Sequence, residues 1–219
     1  MTLKRPPRLI LPGRFRAAVF DMDGILLDTE PLWNQAFAGV VTRRGGVFTS
    51  ADWAATKGQS LVANSRYLAR RVDASATVIE AEIATLILAE YLAGAPVGAG
   101  AGRLVRTLGG RMPIAVATNT QGSVARRALE AAGLPGFGVV ASGADLGRPK
   151  PHPDVYLEAC RQLGVAPGDA VAFEDSPIGV RSAVDAGLTV VGVPEDGVDL
   201  AAAGAHVVLA SLEDVVVRA

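Results

Sequence analysis

Residues 17–24 read Ala17-Ala18-Val19-Phe20-Asp21-Met22-Asp23-Gly24, four apolar residues running straight into a tight acidic turn. An apolar run this short, closed by a glycine-containing turn, predicts a strand buried on both faces, and such a strand needs neighbours to pair with. The residues that follow supply none. From about Pro31 to Gly94 the pattern is helical: Ile79, Ile83, Leu86 and Ile87 recur on one face, and Gly94 is a plausible stop.

The partners come later, after Gly98, Gly100 and Gly102. Residues 113–117 read as a strand, and Ser123 to Ala132 as a helix ending near Gly133. Val139-Val140-Ala141 is a shorter strand, and Asp154 to Leu163 a helix stopped by Gly164. Ala170 to Phe173 is a further strand. Ser176 followed by Pro177 is an N-cap with proline in the first helical position, and that helix ends at Gly187. Leu188 to Val193 and then Val207 to Leu209 complete the series. Apolar strands alternating with helices predict a parallel sheet covered on both faces. The expected fold class is therefore α/β: a Rossmann-like, doubly wound parallel sheet into which an all-helical segment is inserted. The expected boundaries are a discontinuous core of residues 16–30 plus 96–219, a helical insertion of 31–95, and an N-terminal tail of 1–15.

Composition narrows the partners. Half of the 219 residues are hydrophobic, a fifth are charged and the formal net charge is -1. That balance favours neither a nucleic-acid nor a membrane surface, and aromatics at 5% leave little for base stacking. The single cysteine, Cys160, can form neither an internal disulfide nor a zinc cluster, and it falls in a predicted helix as a packing residue. The leader has Lys4, Arg5 and Arg8 but only Leu9, Ile10 and Leu11 as an apolar block, too short for a signal peptide, and is expected to be solvated. The sequence thus suggests a cytoplasmic protein, a monomer by default.

In an open parallel sheet, ligands bind beyond the carboxyl ends of the strands. Those ends deliver Asp21 and Asp23, then Thr118 and Asn119, then Glu174 and Asp175, with Lys150 in a turn just before a helix. Four acids, a hydroxyl and a cation would converge on one edge. Clustered carboxylates repel unless a cation holds them, and a set of hard oxygens without His or Cys suits magnesium. A carboxylate can attack phosphorus, and a second acid two residues away can protonate the leaving oxygen and then activate water. A lysine about 4 Å from the phosphoryl oxygens would contribute roughly 4 kcal/mol at an effective dielectric of about 20. Each piece alone also fits an acidic surface turn, a helix cap or a solvated loop. Their joint placement at strand ends is what carries the reading.

The segments that hold these residues closely resemble the haloacid dehalogenase superfamily, in its phosphatase and phosphoglucomutase-like branch with a helical cap. They are Val19-Phe20-Asp21-Met22-Asp23-Gly24 continuing to Glu30, Ala117-Thr118-Asn119, Lys150-Pro151-His152-Pro153-Asp154, and Phe173-Glu174-Asp175-Ser176-Pro177. The resemblance implies Asp21 as nucleophile and Asp23 as general acid/base. It implies a magnesium site of Asp21, the backbone carbonyl of Asp23 and Asp175, with Glu174 close by, and a phosphoryl site of Thr118, Asn119 and Lys150. It also implies that the insertion is a mobile cap that selects a small phosphorylated metabolite. Lys57 and Gln59 sit where relatives place substrate-reaching cap residues, although a solvated loop accounts for that segment equally well. Asp23 argues against dehalogenation, since dehalogenases of the superfamily lack it. Trp33 stands where the phosphoglucomutases carry a cap histidine, which favours a sugar-phosphate phosphatase over a sugar phosphomutase. A catalytically silent binding protein ranks third, because it need not keep the full set.

Overall fold

The computed structural model describes residues 9–11, 13–57, 59–134, 136–194 and 197–218. A short strand β1 (Leu9–Leu11) precedes β2 (Ala17–Phe20). Four helices follow: α1 (Glu30–Thr42), α2 (Ser50–Thr56), α3 (Leu61–Arg71) and α4 (Ala76–Gly94). The rest alternates: α5 (Ala101–Gly109), β3 (Ile114–Thr118), α6 (Gly122–Ala131), β4 (Val139–Ser142), α7 (Gly143–Leu146), α8 (Asp154–Leu163), β5 (Ala170–Glu174), α9 (Pro177–Asp185), β6 (Thr189–Gly192), β7 (Val207–Val208) and β8 (Val215–Val217).

Six strands form one parallel sheet in the order β4-β3-β2-β5-β6-β7. The first strand of that sheet lies inside it, and all four of its residues are fully buried. Side-chain alternation then builds two cores. Ala18, Phe20, Val116, Val171 and Phe173 face one layer, where Phe20 stacks on Phe173 with ring centroids 4.9 Å apart. Ala17, Val19, Ala115 and Ala172 face the other, against Tyr156, Ala159 and Cys160 of α8. Cys160 is a buried packing residue, and burial pushes its thiol up to about 11.

The helical stretch is four packed helices. On α4 the buried positions are Ile79, Ile83, Ile87 and Tyr91, one every fourth residue, whereas Leu86 is only partly buried. At the start of α2, Thr49 and Asp52 cap each other reciprocally. Asp52 also accepts from the Tyr67 hydroxyl at 2.7 Å and pairs with Arg71 at 2.9 Å, which ties α2 to α3 and holds its carboxyl well below the usual range. The two chain crossings into and out of this helical unit lie side by side, Leu27 bridging Val97 and the Asp28 N–H donating to the Pro96 carbonyl at 2.8 Å.

Two features depart from the sequence reading. The leader is not solvated throughout: Leu9–Leu11 pairs in parallel with Val215–Val217, and Leu11 is fully buried. The apolar block is long enough for a three-residue strand. Residues 1–8 and 12 of the expected tail lie outside the described residues. Helix α5 also occupies a stretch whose glycines suggested only a change of texture. Gly98 and Gly100 serve close approach: a Cβ on Gly98 would lie 2.4 Å from the Ile25 carbonyl oxygen, and one on Gly100 2.8 Å from the Glu213 amide. Among the described residues, no helix is long and apolar enough to cross a membrane.

Candidate active site

Because β2 pairs with β3 on one side and β5 on the other, the carboxyl ends of three strands meet at the point where the strand order reverses. They bring Asp21, Thr118 and Glu174 to one place. Lys150 arrives from the turn before α8, fixed by its own N–H donating to the Asn119 side-chain oxygen at 2.8 Å. Its ammonium is buried and donates to Asp21 Oδ1 at 2.7 Å and to Glu174 Oε1 at 2.6 Å. Asp21, Glu174 and Asp175 each offer a carboxylate oxygen within 4.8 Å of the others.

One lysine faces several acids here, and the protonation tendencies follow from that imbalance. Burial pushes Asp21 up to about 8. The Lys150 charge opposes this, while the neighbouring Glu174 and Asp23 charges reinforce it. Burial alone would lower Lys150, but the Asp21 and Glu174 carboxylates outweigh it and hold the ammonium charged. A divalent cation among these oxygens would supply the missing positive charge, and an all-oxygen donor set of this spacing fits a hard cation.

Glu174 differs from its neighbours. It is 0% exposed and does not line the cavity. Its Oε1 accepts from Lys150 and from the Tyr156 hydroxyl at 2.7 Å. Its Oε2 accepts from the Asp175 and Ser176 amides and the Ser176 hydroxyl at 3.1–3.2 Å. Two glycines make room for these acids. A Cβ on Gly24, which has φ of +80°, would stand 2.1 Å from Asp175 Oδ2, and one on Gly179 would stand 1.9 Å from Glu174 Oε1.

Asp23 sits outside the three-acid group, its carboxylate gathered by hydroxyls. Oδ1 accepts from Thr29 at 2.9 Å and from Tyr91 at 2.5 Å, and Oδ2 accepts from Thr120 at 3.4 Å. Thr118 Oγ1 accepts from the Thr120 N–H at 3.0 Å, which leaves its own proton to donate.

Above the site is a cavity of about 850 Å³. Its walls include Asp21, Asp23, Thr118, Asn119, Lys150 and Asp175 from the sheet side, and Trp33, Lys57 and Gln59 from the helical side. Lys57 is ion-paired to Glu30 at 3.0 Å. All the residues singled out by sequence thus meet here, with Glu174 behind the wall rather than in it. Sequence reasoning missed Tyr91, Thr29, Thr120, Tyr156 and Gly179. For Tyr91 a signal existed: it is the next i+4 position after Ile79, Ile83 and Ile87.

Comparison with known proteins identifies the family. The family model of haloacid dehalogenase-like hydrolases matches residues 15–187. The chain is 30% identical to validoxylamine A 7'-phosphate phosphatase of Streptomyces hygroscopicus subsp. limoneus, over 92% of this chain and 96% of that one. It is 33% identical to hexitol phosphatase A of Escherichia coli, over 82% and 83%. Among solved structures, CbbY from Rhodobacter sphaeroides in complex with xylulose-(1,5)-bisphosphate superposes with a TM-score of 0.78 at 27% identity, over 90% of this chain and 95% of that one. The chain belongs to the haloacid dehalogenase-like hydrolase family.

Proposed function

We propose that the chain is a phosphoric monoester hydrolase, a magnesium-dependent phosphatase acting on a sugar phosphate or related small metabolite through a phosphorylated Asp21. The observation that carries the reading is the buried Lys150 ammonium 2.7 Å from Asp21 Oδ1, with Asp175 beside them on the cavity wall and Glu174 directly behind it. The relatives' names, a validoxylamine A 7'-phosphate phosphatase and a hexitol phosphatase, point to phosphate esters of polyhydroxy compounds, cyclic or open-chain.

Asp21, Asp175 and the Asp23 backbone carbonyl would hold magnesium, with Glu174 close to that shell. The ion would neutralise carboxylate and phosphoryl charge. Lys150, the Thr118 hydroxyl and Asn119 bind the phosphoryl group, Asn119 also by fixing the Lys150 backbone. An Asp21 oxygen attacks phosphorus while the bond to the ester oxygen breaks, and Asp23 gives that oxygen its proton. A water then attacks the same phosphorus, Asp23 takes the water's proton, and the bond to Asp21 breaks. The helical unit of residues 31–95 is the cap that excludes bulk water, hinged at the paired crossings, and Lys57 and Gln59 face the ester group from it.

The phosphomutase reading requires the aspartyl-phosphate to be kept from water until the sugar has turned over. Trp33, with one N–H donor and no titrating group near neutral pH, cannot do what a cap histidine does there. Two measurements test the proposal. A single-turnover trap with labelled ester should place label on Asp21, and label on another residue would refute the covalent step. With β-glucose 1-phosphate and glucose 1,6-bisphosphate primer, any turnover should give free phosphate and glucose. Stoichiometric glucose 6-phosphate would instead make the chain a mutase.

A further inference from the structure

The chain has two tryptophans, and both line the catalytic cavity. Trp33 lies on α1 and Trp53 on α2, and both rest on Phe37, at centroid distances of 5.6 and 6.3 Å with planes tilted by 49° in each case. Phe37 is itself a core residue at 2% exposure and is backed by Phe48 at 6.3 Å. The two indoles are therefore held rigidly from behind, yet each is only half-buried, and the cavity takes up part of their surface. Large aromatic surface left open in an interior cleft forgoes the burial that would stabilise the fold, unless a ligand covers it. Ala54 and Ala84, with small side chains, line the same cavity.

Polar groups share these walls. The Lys57–Glu30 pair and Gln59 line the same cavity and bring both donors and acceptors to it. Two indole surfaces in a cavity that also holds polar groups match a ring that carries an apolar C–H face and hydroxyls around its circumference. A cyclic sugar has that shape. An open-chain polyol has hydroxyls on every side and no face to lay on an indole. The size agrees: about 850 Å³ lies in the upper part of the roughly 300–1,000 Å³ range of drug-sized ligand sites, far beyond what a two- or three-carbon ester fills.

Resting on the phosphatase reading, we infer that the enzyme selects phosphate esters of cyclic sugars over those of open-chain polyols, the sugar ring lying against Trp53 and Trp33. The test uses matched pairs of equal carbon number: glucose, mannose and galactose 6-phosphates against glucitol, mannitol and galactitol 6-phosphates, with p-nitrophenyl phosphate as a general reporter of phosphate release. Within the best-hydrolysed pair, kcat/KM for the cyclic member should exceed that for its open-chain partner by roughly tenfold. Trp53→Ala should shrink that ratio by about threefold or more, mainly through the KM of the cyclic member, and Trp53→Phe should keep it. Equal or inverted ratios across the pairs, or a ratio unmoved by Trp53→Ala, would overturn the inference and leave the phosphatase intact. Absence of phosphate release from every ester, p-nitrophenyl phosphate included, would instead remove the phosphatase reading and this inference with it.

Discussion

Replacing Gly179 with alanine tests the architecture of the site more sharply than removing any of its charged groups. The added Cβ would stand 1.9 Å from Glu174 Oε1 and 2.1 Å from both Cδ and Oε2, so something must retreat by roughly 1.5 Å or more to reach ordinary contact. Glu174 has nowhere to go. It is fully buried and its two oxygens hold five hydrogen bonds, from Lys150, Tyr156, Ser176 Oγ and the amides of Asp175 and Ser176. A shift of that size breaks at least two of them. At about 1.5–3 kcal/mol for each bond to a charged acceptor, the loss is roughly 3–6 kcal/mol, a large part of the ~5–15 kcal/mol that holds a domain folded. Lys150 loses an anchor at the same time, and a misplacement of about 1 Å at the reacting groups can cost on the order of 100-fold in rate. Urea denaturation and phosphate-release kinetics on the purified variant measure the two effects. Gly138→Ala is the control, since a Cβ there meets nothing within 4 Å and no left-handed backbone is involved; it should shift stability by no more than about 0.5 kcal/mol. A Gly179→Ala enzyme with near-normal stability and kcat would show that Glu174 is not locked in the way its contacts indicate.

Removing the Tyr91 hydroxyl with Tyr91→Phe takes the shortest hydrogen bond from Asp23 while keeping the ring in the core. Steady-state kinetics should show kcat falling by roughly tenfold or more with KM changed less than about threefold, the pattern of a group that acts through the acid/base. Chelation should abolish turnover and magnesium should restore it, whereas calcium, with its looser shell, should restore little; full turnover after exhaustive chelation would refute the metal assignment. The pH dependence of stability in the metal-free protein should carry the mark of Asp21. Burial lifts its folded-state value to about 8, far above the ordinary aspartate value of 3.8, so the folded protein binds this proton more tightly than the unfolded chain. That contribution is present below about pH 4 and is lost as pH rises towards 8, with a slope of at most about 1.4 kcal/mol per pH unit. Asp21→Asn removes the ionisation, so the variant's stability minus that of the wild type should grow between about pH 5 and pH 8 in chelator. A flat difference would show that Asp21 ionises in the folded protein as it does in the unfolded chain.

What could be read from the sequence depended on whether its cause was local. The strands of the main sheet announce themselves because burial on both faces forces short apolar runs, and the strand ends then locate Asp21, Thr118 and Glu174 with no knowledge of packing. Glu174 and Asp175 are adjacent in sequence but face different surroundings. The period-two alternation at the end of β5 sends one carboxylate behind the wall to Lys150 and Tyr156 and leaves the other on the cavity. Sequence spacing alone gives them the same role. Leu9–Leu11 reads as part of a solvated leader because three residues carry no periodicity, and its partner strand lies about two hundred residues away.

Asp23 shows most clearly why the remainder is hidden. Its three hydroxyl partners come from separate parts of the chain: Thr29 at the first crossing, Tyr91 at the end of α4 close to the second, and Thr120 on the loop after β3. The last two are 68 and 97 residues distant. Tyr91 is indistinguishable in sequence from one more apolar rung of the ladder that begins at Ile79. Only the side-by-side crossings, Leu27 against Val97 and Asp28 against Pro96, turn the end of that helix over the acidic turn. The aromatic ring is placed by helical periodicity and its hydroxyl by topology. The residue proposed to move the proton is thus held jointly by the sheet and by the cap above it. If the cap swings about the two crossings, Tyr91 is the contact to Asp23 that must change with it, while Thr29 sits at the crossing itself and Thr120 stays with the sheet.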